Sequence, residues 1–205
     1  MKPQVHPNHY TENYDSRRRF ASYWHQIHEI KIHAQGPVLE IGAGNGFTAQ
    51  YLRTHGLTVS TLDHDSQLNP DIIGDITNLQ IPEKTYDIVA AFEVLEHVPY
   101  HEALKALKRM RDIAQRYVII SLPDSAHIYS FSIRLPFIGS FRKLFRVTML
   151  PLKKSRTKDH YWELELRGFG IHKVRRDIKD IGFAIENEYS LFENPRHYFF
   201  ILKKI

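Results

Sequence analysis

Residues 38 to 46 read Val-Leu-Glu-Ile-Gly-Ala-Gly-Asn-Gly. Val38, Leu39 and Ile41 form a short apolar run with one acid inside it, the pattern of a strand buried on both faces. Gly42, Gly44 and Gly46 follow at alternate positions. Without Cβ atoms, they let the backbone turn sharply and let another group approach closely. The chain then resumes as a helix over about 47 to 55. A strand, a glycine loop and a helix N-terminus in that order form a cofactor cradle.

The spacing restricts the cofactor. A dinucleotide fingerprint needs a glycine where Phe47 stands. A phosphate loop ends in Gly-Lys-Ser/Thr, whereas Gly46 is followed by Phe47 and Thr48. What remains is Glu40-x-Gly42-x-Gly44-x-Gly46, which resembles motif I of the class I S-adenosylmethionine-dependent methyltransferases. The run 57–62 reads as a second strand ending at Asp63, where an acid some twenty residues past the first glycine can hold a ribose hydroxyl pair. An alternative role for Asp63 is a helix cap. Asp71-Ile72-Ile73 reads as a short third strand. The resemblance implies that Asp75 binds the adenine amino group while Ile76 packs on the ring, although Asp75 after Gly74 also suits a turn. It further implies cofactor contacts from Glu40, Gly42, Gly44, Gly46, His64 and Phe92.

Tyr86 to Phe92 reads as the fourth strand, followed by Glu93-Val94-Leu95-Glu96-His97-Val98. This string resembles the segment after strand four in the ubiquinone-biosynthesis O-methyltransferases and the methyltransferase type 11 group. The resemblance runs from about Gly36 to Pro123. Helices are expected at 16–34, 101–114 and 171–181, and strands at 117–122, 183–189 and 197–202, the last two pairing as a hairpin. Regular alternation of strand and helix gives an α/β fold with a parallel sheet wrapped by helices. The resemblance implies a Rossmann-like, seven-stranded, mostly parallel sheet with helices on both faces and the last strand antiparallel.

A chain of 205 residues forms one domain. Its expected parts are an N-terminal helical extension (1–35), a cofactor-binding core (36–123), a lid or substrate insertion (124–168) and a C-terminal helix with strands (169–205). Cysteine is absent, which excludes disulfides and thiolate metal sites. Residues 1 to 19 are polar and unlike a signal peptide, and no apolar run reaches bilayer-spanning length. The expectation is a cytoplasmic protein, with a peripheral position at the membrane as the alternative.

Methyl transfer to a hydroxyl needs a group that takes its proton, and Glu93, Glu96 and His97 are candidates, with His97 and Glu96 as the catalytic pair. If the chain from Glu93 is helical, these three share one face. They could then bind a divalent metal, with His160 as a fourth ligand. Glu-x-x-Glu-His with a later histidine resembles the metal site of the small-RNA 2′-O-methyltransferases and of some quinone O-methyltransferases. In the other reading there is no metal, His97 faces the substrate and Glu93 lines the methionine pocket.

Residues 125 to 158 carry Arg134, Arg142, Lys143, Arg146, Lys153, Lys154, Arg156 and Lys158 and no acid, interleaved with aromatic and aliphatic residues. The stretch to about 168 is read as irregular, broken by Pro136, Gly139 and Pro151. Three roles fit it: a substrate lid, a membrane-surface segment serving a lipid-like acceptor, and a nucleic-acid contact. Methyltransferases acting on exocyclic base nitrogens carry Asn/Asp-Pro-Pro-Tyr/Phe after strand four. Phe92-Glu93-Val94-Leu95 stands there instead, which disfavours base N-methylation but not ribose O-methylation. The expected reaction is O-methylation of a small, partly apolar molecule, yielding S-adenosyl-L-homocysteine. RNA 2′-O-methylation and non-catalytic cofactor binding are the alternatives. On the N-terminal helix, Tyr10, Tyr14, Tyr23 and Trp24 either cover the cofactor or pack on the sheet, and His25 and His28 are expected on a solvated face.

Overall fold

The computed structural model describes residues 14–137, 139–148, 155 and 157–205. Tyr10, Ile138, Pro151 and three of the eight basic residues of the 125–158 stretch (Lys153, Lys154 and Arg156) lie outside them. Helices α1 (Arg17–His33), α2 (Phe47–Thr54), α3 (Tyr100–Ile113) and α4 (Ile171–Asp180) surround a sheet built from β1 (Val38–Ile41), β2 (Val59–Asp63), β3 (Ile72–Ile73), β4 (Tyr86–Phe92), β5 (Ala114–Pro123), β8 (Phe183–Ser190) and β9 (His197–Lys204). The sheet order is β3-β2-β1-β4-β5-β9-β8. β1 to β5 run parallel, and β9 runs antiparallel to both its neighbours. This is the expected Rossmann-like sheet.

The two-residue period of the strands separates two cores. Leu39 and Ile41, Val89 and Ala91, Val118 and Ile120, and Phe200 and Leu202 point to one face, packed under α3 and α4. Val38, Ile88 and Ala90, Ile119, and Phe199 and Ile201 point to the other, under α1 and α2. Each fully buried large side chain contributes roughly 1.5–3 kcal/mol. Strand order reverses between β1 and β4, and the carboxyl ends diverge there into a crevice.

Two parts of the chain depart from the sequence reading, α1 and the stretch after β5. The apolar stripe of α1 is narrower than its composition suggests: Phe20, Trp24 and Ile32 are exposed, while Ser22, Gln26 and Glu29 are buried. Hydrogen bonds make this burial tolerable. Thr48 Oγ1 donates to Gln26 at 2.7 Å, and Tyr189 Oη donates to Glu29 at 2.6 Å. His25 is half-buried rather than solvated, with Nδ1 3.2 Å from Tyr189 Oη, whereas His28 is exposed and stacks on Trp24.

The second correction concerns the stretch read as irregular. It contains β6 (His127–Leu135) and β7 (Gly139–Val147), an antiparallel hairpin separate from the main sheet. Pro136 and Gly139 sit at its turn, so the breakers that argue against a helix close a hairpin instead.

Among the described residues, no helix is long and apolar enough to cross a membrane.

Candidate active site

The carboxyl ends of β1 to β4 surround a cleft of ≈ 940 Å³, open mouth included. Gly42 and Gly44 line it from the loop after β1, Asp63 and His64 from the end of β2, Asp75 and Ile76 from beyond β3, and Phe92, Glu93, Val94 and His97 from beyond β4. The loop takes its shape from three positive φ angles: 81° at Gly42, 53° at Gly44 and 73° at Gly46. Such angles are costly for residues with a Cβ. At Gly42 a Cβ would also collide with Val94, so space freed there is filled by the protein's own side chain. Glu40 and Gly46 do not line the cleft. Gly46 caps α2 in a left-handed conformation. Glu40 is buried beneath the loop, accepts from the Ala49 amide, and is pushed up to about 8 by burial.

Asp63 is buried, accepts from the Asp65 amide at 3.0 Å, and lies 3.2 Å from His64 Nδ1. His64 Nε2 is buried with no hydrogen-bond partner among the described residues. Asp75 caps the short turn Ile76–Asn78, accepting from Thr77 N and Oγ1 at 2.8 Å each. Its turn role and its place in the cleft are therefore compatible. Two carboxylates, an unpartnered imidazole nitrogen, and apolar walls from Leu62, Ile76 and Phe92 suit a nucleoside with hydroxyls and a flat ring.

Helix α1 closes one side of the cleft. Arg19 and Tyr14 line it, with the guanidinium 4.4 Å from the Tyr14 ring. Tyr23 packs on Phe47 at 4.8 Å and accepts from Asn45 Nδ2 at 3.0 Å, anchoring the helix over the glycine loop. Trp24 lies outside the cleft lining. Arg19 escaped the sequence reading because nothing local marks one arginine of a basic helical turn as facing a cleft.

Beyond β4, the chain does not continue as the helix that would align Glu93, Glu96 and His97. Glu93 has φ 56°, and only Leu95–His97 forms a 3₁₀ turn. Glu93 is thereby swung aside, accepting from Ser121 Oγ at 2.9 Å with His197 Nε2 3.7 Å away. Among the described residues, Glu96, His97 and His160 converge, each offering a ligand atom within 4.8 Å of the others. The expected four-ligand set thus loses Glu93.

The chain around His160 is clamped against the 3₁₀ turn. Tyr161 N donates to Glu96 O at 2.9 Å, and Trp162 Nε1 donates to Leu95 O at 3.1 Å. Glu96 is fully buried, and neither carboxylate oxygen has a hydrogen-bond partner among the described residues. Burial, then the charge of Glu93, pushes its carboxyl well above the usual range. Burial and the neighbouring His160 lower His97, so its ring is neutral near pH 7. Glu163, which the sequence reading missed, accepts from His160 Nδ1 at 2.8 Å and from Ser125 and Ser155. Burial opposes its ionisation, but these bonds outweigh it and hold Glu163 below the usual range. A glutamate three residues after a candidate ligand histidine is the sequence signal for it.

This sheet order, with a glycine loop and an acid-lined cleft at its reversal, is the fold of a methyltransferase domain. Residues 12–197 match the family model described as "Methyltransferase domain", and the chain belongs to that family. An uncharacterized methyltransferase of Staphylococcus carnosus is 29% identical over 108 residues, covering 48% of this chain and 52% of the relative. The ubiquinone biosynthesis O-methyltransferase of Hydrogenovibrio crunogenus is 32% identical over 91 residues, covering 35% of this chain and 38% of the relative. The chain thus matches about half or less of these relatives' length. Magnesium protoporphyrin IX methyltransferase of Synechocystis, solved with bound S-adenosylmethionine, shares the fold at a TM-score of 0.63 and 15% identity, covering 96% of this chain and 88% of that one.

Proposed function

We propose that the protein transfers the methyl group of S-adenosylmethionine to an oxygen of a small, partly apolar acceptor. The observation that carries this is the continuity of the nucleoside cleft with His97, which lines it and joins Glu96 and His160 at its far end. Asp63 accepts from the ribose hydroxyls, and Asp75 and Ile76 hold the adenine. Gly42 and Gly44 face the methionine portion, whose carboxylate pairs with Arg19. The donor supplies an electrophilic methyl on a sulfonium. What the protein adds is alignment of the acceptor, worth about 7–11 kcal/mol. A proton acceptor at the hydroxyl contributes about 10²–10⁴-fold more. The neutral ring of His97 suits that role.

The donor set of Glu96, His97 and His160 also fits a divalent cation. The unpartnered, buried carboxylate of Glu96 favours this second reading, since such a group needs a compensating charge or proton. A bound cation would lower the pKa of an acceptor hydroxyl. The identity with a ubiquinone O-methyltransferase supports an oxygen acceptor of apolar character.

The test is a panel of phenolic and lipid-like acceptors with labelled methyl donor. Transfer to oxygen is expected, with His97→Ala abolishing it while leaving cofactor affinity intact. Cofactor binding without transfer to any acceptor would favour a non-catalytic module. Transfer only to RNA, with steep salt dependence, would favour ribose methylation.

A further inference from the structure

The hairpin β6–β7 divides its side chains by register. Tyr129 faces Phe145, Phe131 faces Lys143, Ile133 faces Phe141 and Leu135 faces Gly139, so these residues share one surface. The opposite surface pairs Ile128 with Arg146, Ser130 with Leu144, Ser132 with Arg142 and Arg134 with Ser140. That second surface is tied to the body of the protein. Arg146 Nε donates to Asp124 at 2.7 Å, and its Nη1 lies 3.2 Å from Glu165. Arg142 Nη1 donates to Glu193 at 2.8 Å. Among the described residues, the first surface has no such anchor. Tyr129 is 64% exposed and Phe141 57%; Phe131, Ile133 and Phe145 are exposed too, and Phe137 at the tip is fully so. A contiguous apolar face of this kind marks a docking surface.

We infer that this face docks on an anionic lipid bilayer. Charge selects the occupant. Lys143 stands on the apolar face, Arg134 lies beside the tip, and residues 125–158 contain no acid. Cations of this kind gather at anionic headgroups. Aromatic rings settle at the boundary between headgroups and acyl chains, and lysine can extend its ammonium back to the phosphates. A second copy of the chain would bring the same cations against these. The ribbon forms a sheet of its own, largely exposed along both strands, a form suited to entering a soft interface. Docking needs no methyl acceptor, so it stands or falls apart from the proposed reaction.

The test is sedimentation of the whole protein with vesicles of phosphatidylcholine alone or mixed with phosphatidylglycerol. Co-sedimentation with the anionic vesicles is expected, reduced at least tenfold by raised salt or by Phe131→Ser with Phe141→Ser, while melting temperature and cofactor affinity stay unchanged. Should that double variant fold poorly, Arg134→Glu with Lys143→Glu reads the electrostatic half and is expected to lose binding equally. Absence of co-sedimentation, equal binding to neutral vesicles, or full binding by both variants would overturn the proposal. A dimer in solution that the aromatic variant breaks, without vesicle binding, would assign the face to a second copy and overturn it as well.

Discussion

His160 Nδ1 lies 2.8 Å from Glu163 Oε1, and that bond fixes which ring nitrogen is left to act. Glu163 is held ionised by its donors, so in the neutral ring of His160 Nδ1 carries the hydrogen and Nε2 keeps its lone pair. His97 Nδ1 lies 3.2 Å from the Asp159 carbonyl, which can only accept, so Nε2 of His97 is likewise the basic atom. A carboxylate or carbonyl behind each candidate ligand histidine is the arrangement that orients metal ligands. Calorimetric titration with Mn²⁺ or Zn²⁺ is expected to show one site. Glu96→Gln or His160→Ala should abolish it, and Glu163→Gln should weaken it about 10–100-fold. Undiminished binding by Glu96→Gln would remove the cation from the proposal.

A neutral His97 predicts the acid limb of activity. Its pKa lies below the ordinary histidine value, lowered by burial first and by His160 second. Activity should be full above that pKa and fall as pH drops through it. His160→Ala removes one lowering influence, so in metal-free assays the limb should move to higher pH. A kcat/KM profile over pH for both proteins checks this; superimposable profiles would mean that His97 is not the titrating group.

Gly42 is constrained twice, by its φ of 81° and by Val94. Gly42→Ala is expected to cost about 1–2 kcal/mol from the left-handed backbone alone, with the collision added. Val94→Ala in the same chain should recover the collision but not the backbone cost. Denaturant midpoints of the single and double variants separate the two contributions; equal stability of Gly42→Ala and the natural chain would refute the constraint.

Glu40, pushed up to about 8, makes stability depend on pH. Its folded-state value lies above the ordinary glutamate value of about 4.3. The associated stability is therefore full below about 4.3 and lost as pH rises through about 8. Glu40→Gln cannot ionise and escapes this loss. The melting temperature of the variant relative to the natural chain should rise between these values and level off above, by about 2–4 °C per kcal/mol. A constant difference across pH would show that Glu40 does not titrate between folded and unfolded states.

The glycine-loop side of the cleft was legible because strand, glycine loop and acid lie within one stretch of chain. Val38 to Ile41, Asp63 and Tyr86 to Phe92 fall where hydrophobic period and turn residues place them. The cluster of Glu96, His97 and His160 was legible only in its residue types. Whether Glu93 joins Glu96 and His97 depends on one positive φ, which composition does not encode. The contact between His97 and His160, with ring centroids 4.9 Å apart, spans residues far apart in sequence. The hairpin escaped because Pro136 and Gly139 mark a break without saying what lies on either side. Buried Ser22, Gln26 and Glu29 escaped because their partners Asn194, Thr48 and Tyr189 come from other elements.

Isothermal titration of the purified chain with S-adenosylmethionine and S-adenosylhomocysteine is the most direct measurement. One-to-one binding of both is expected, weakened at least tenfold by Asp63→Ala, whose lost charged hydrogen bonds are worth about 1.5–3 kcal/mol each. No heat with either compound, together with tight binding of a nicotinamide dinucleotide or a nucleoside triphosphate, would contradict the assignment of the cleft.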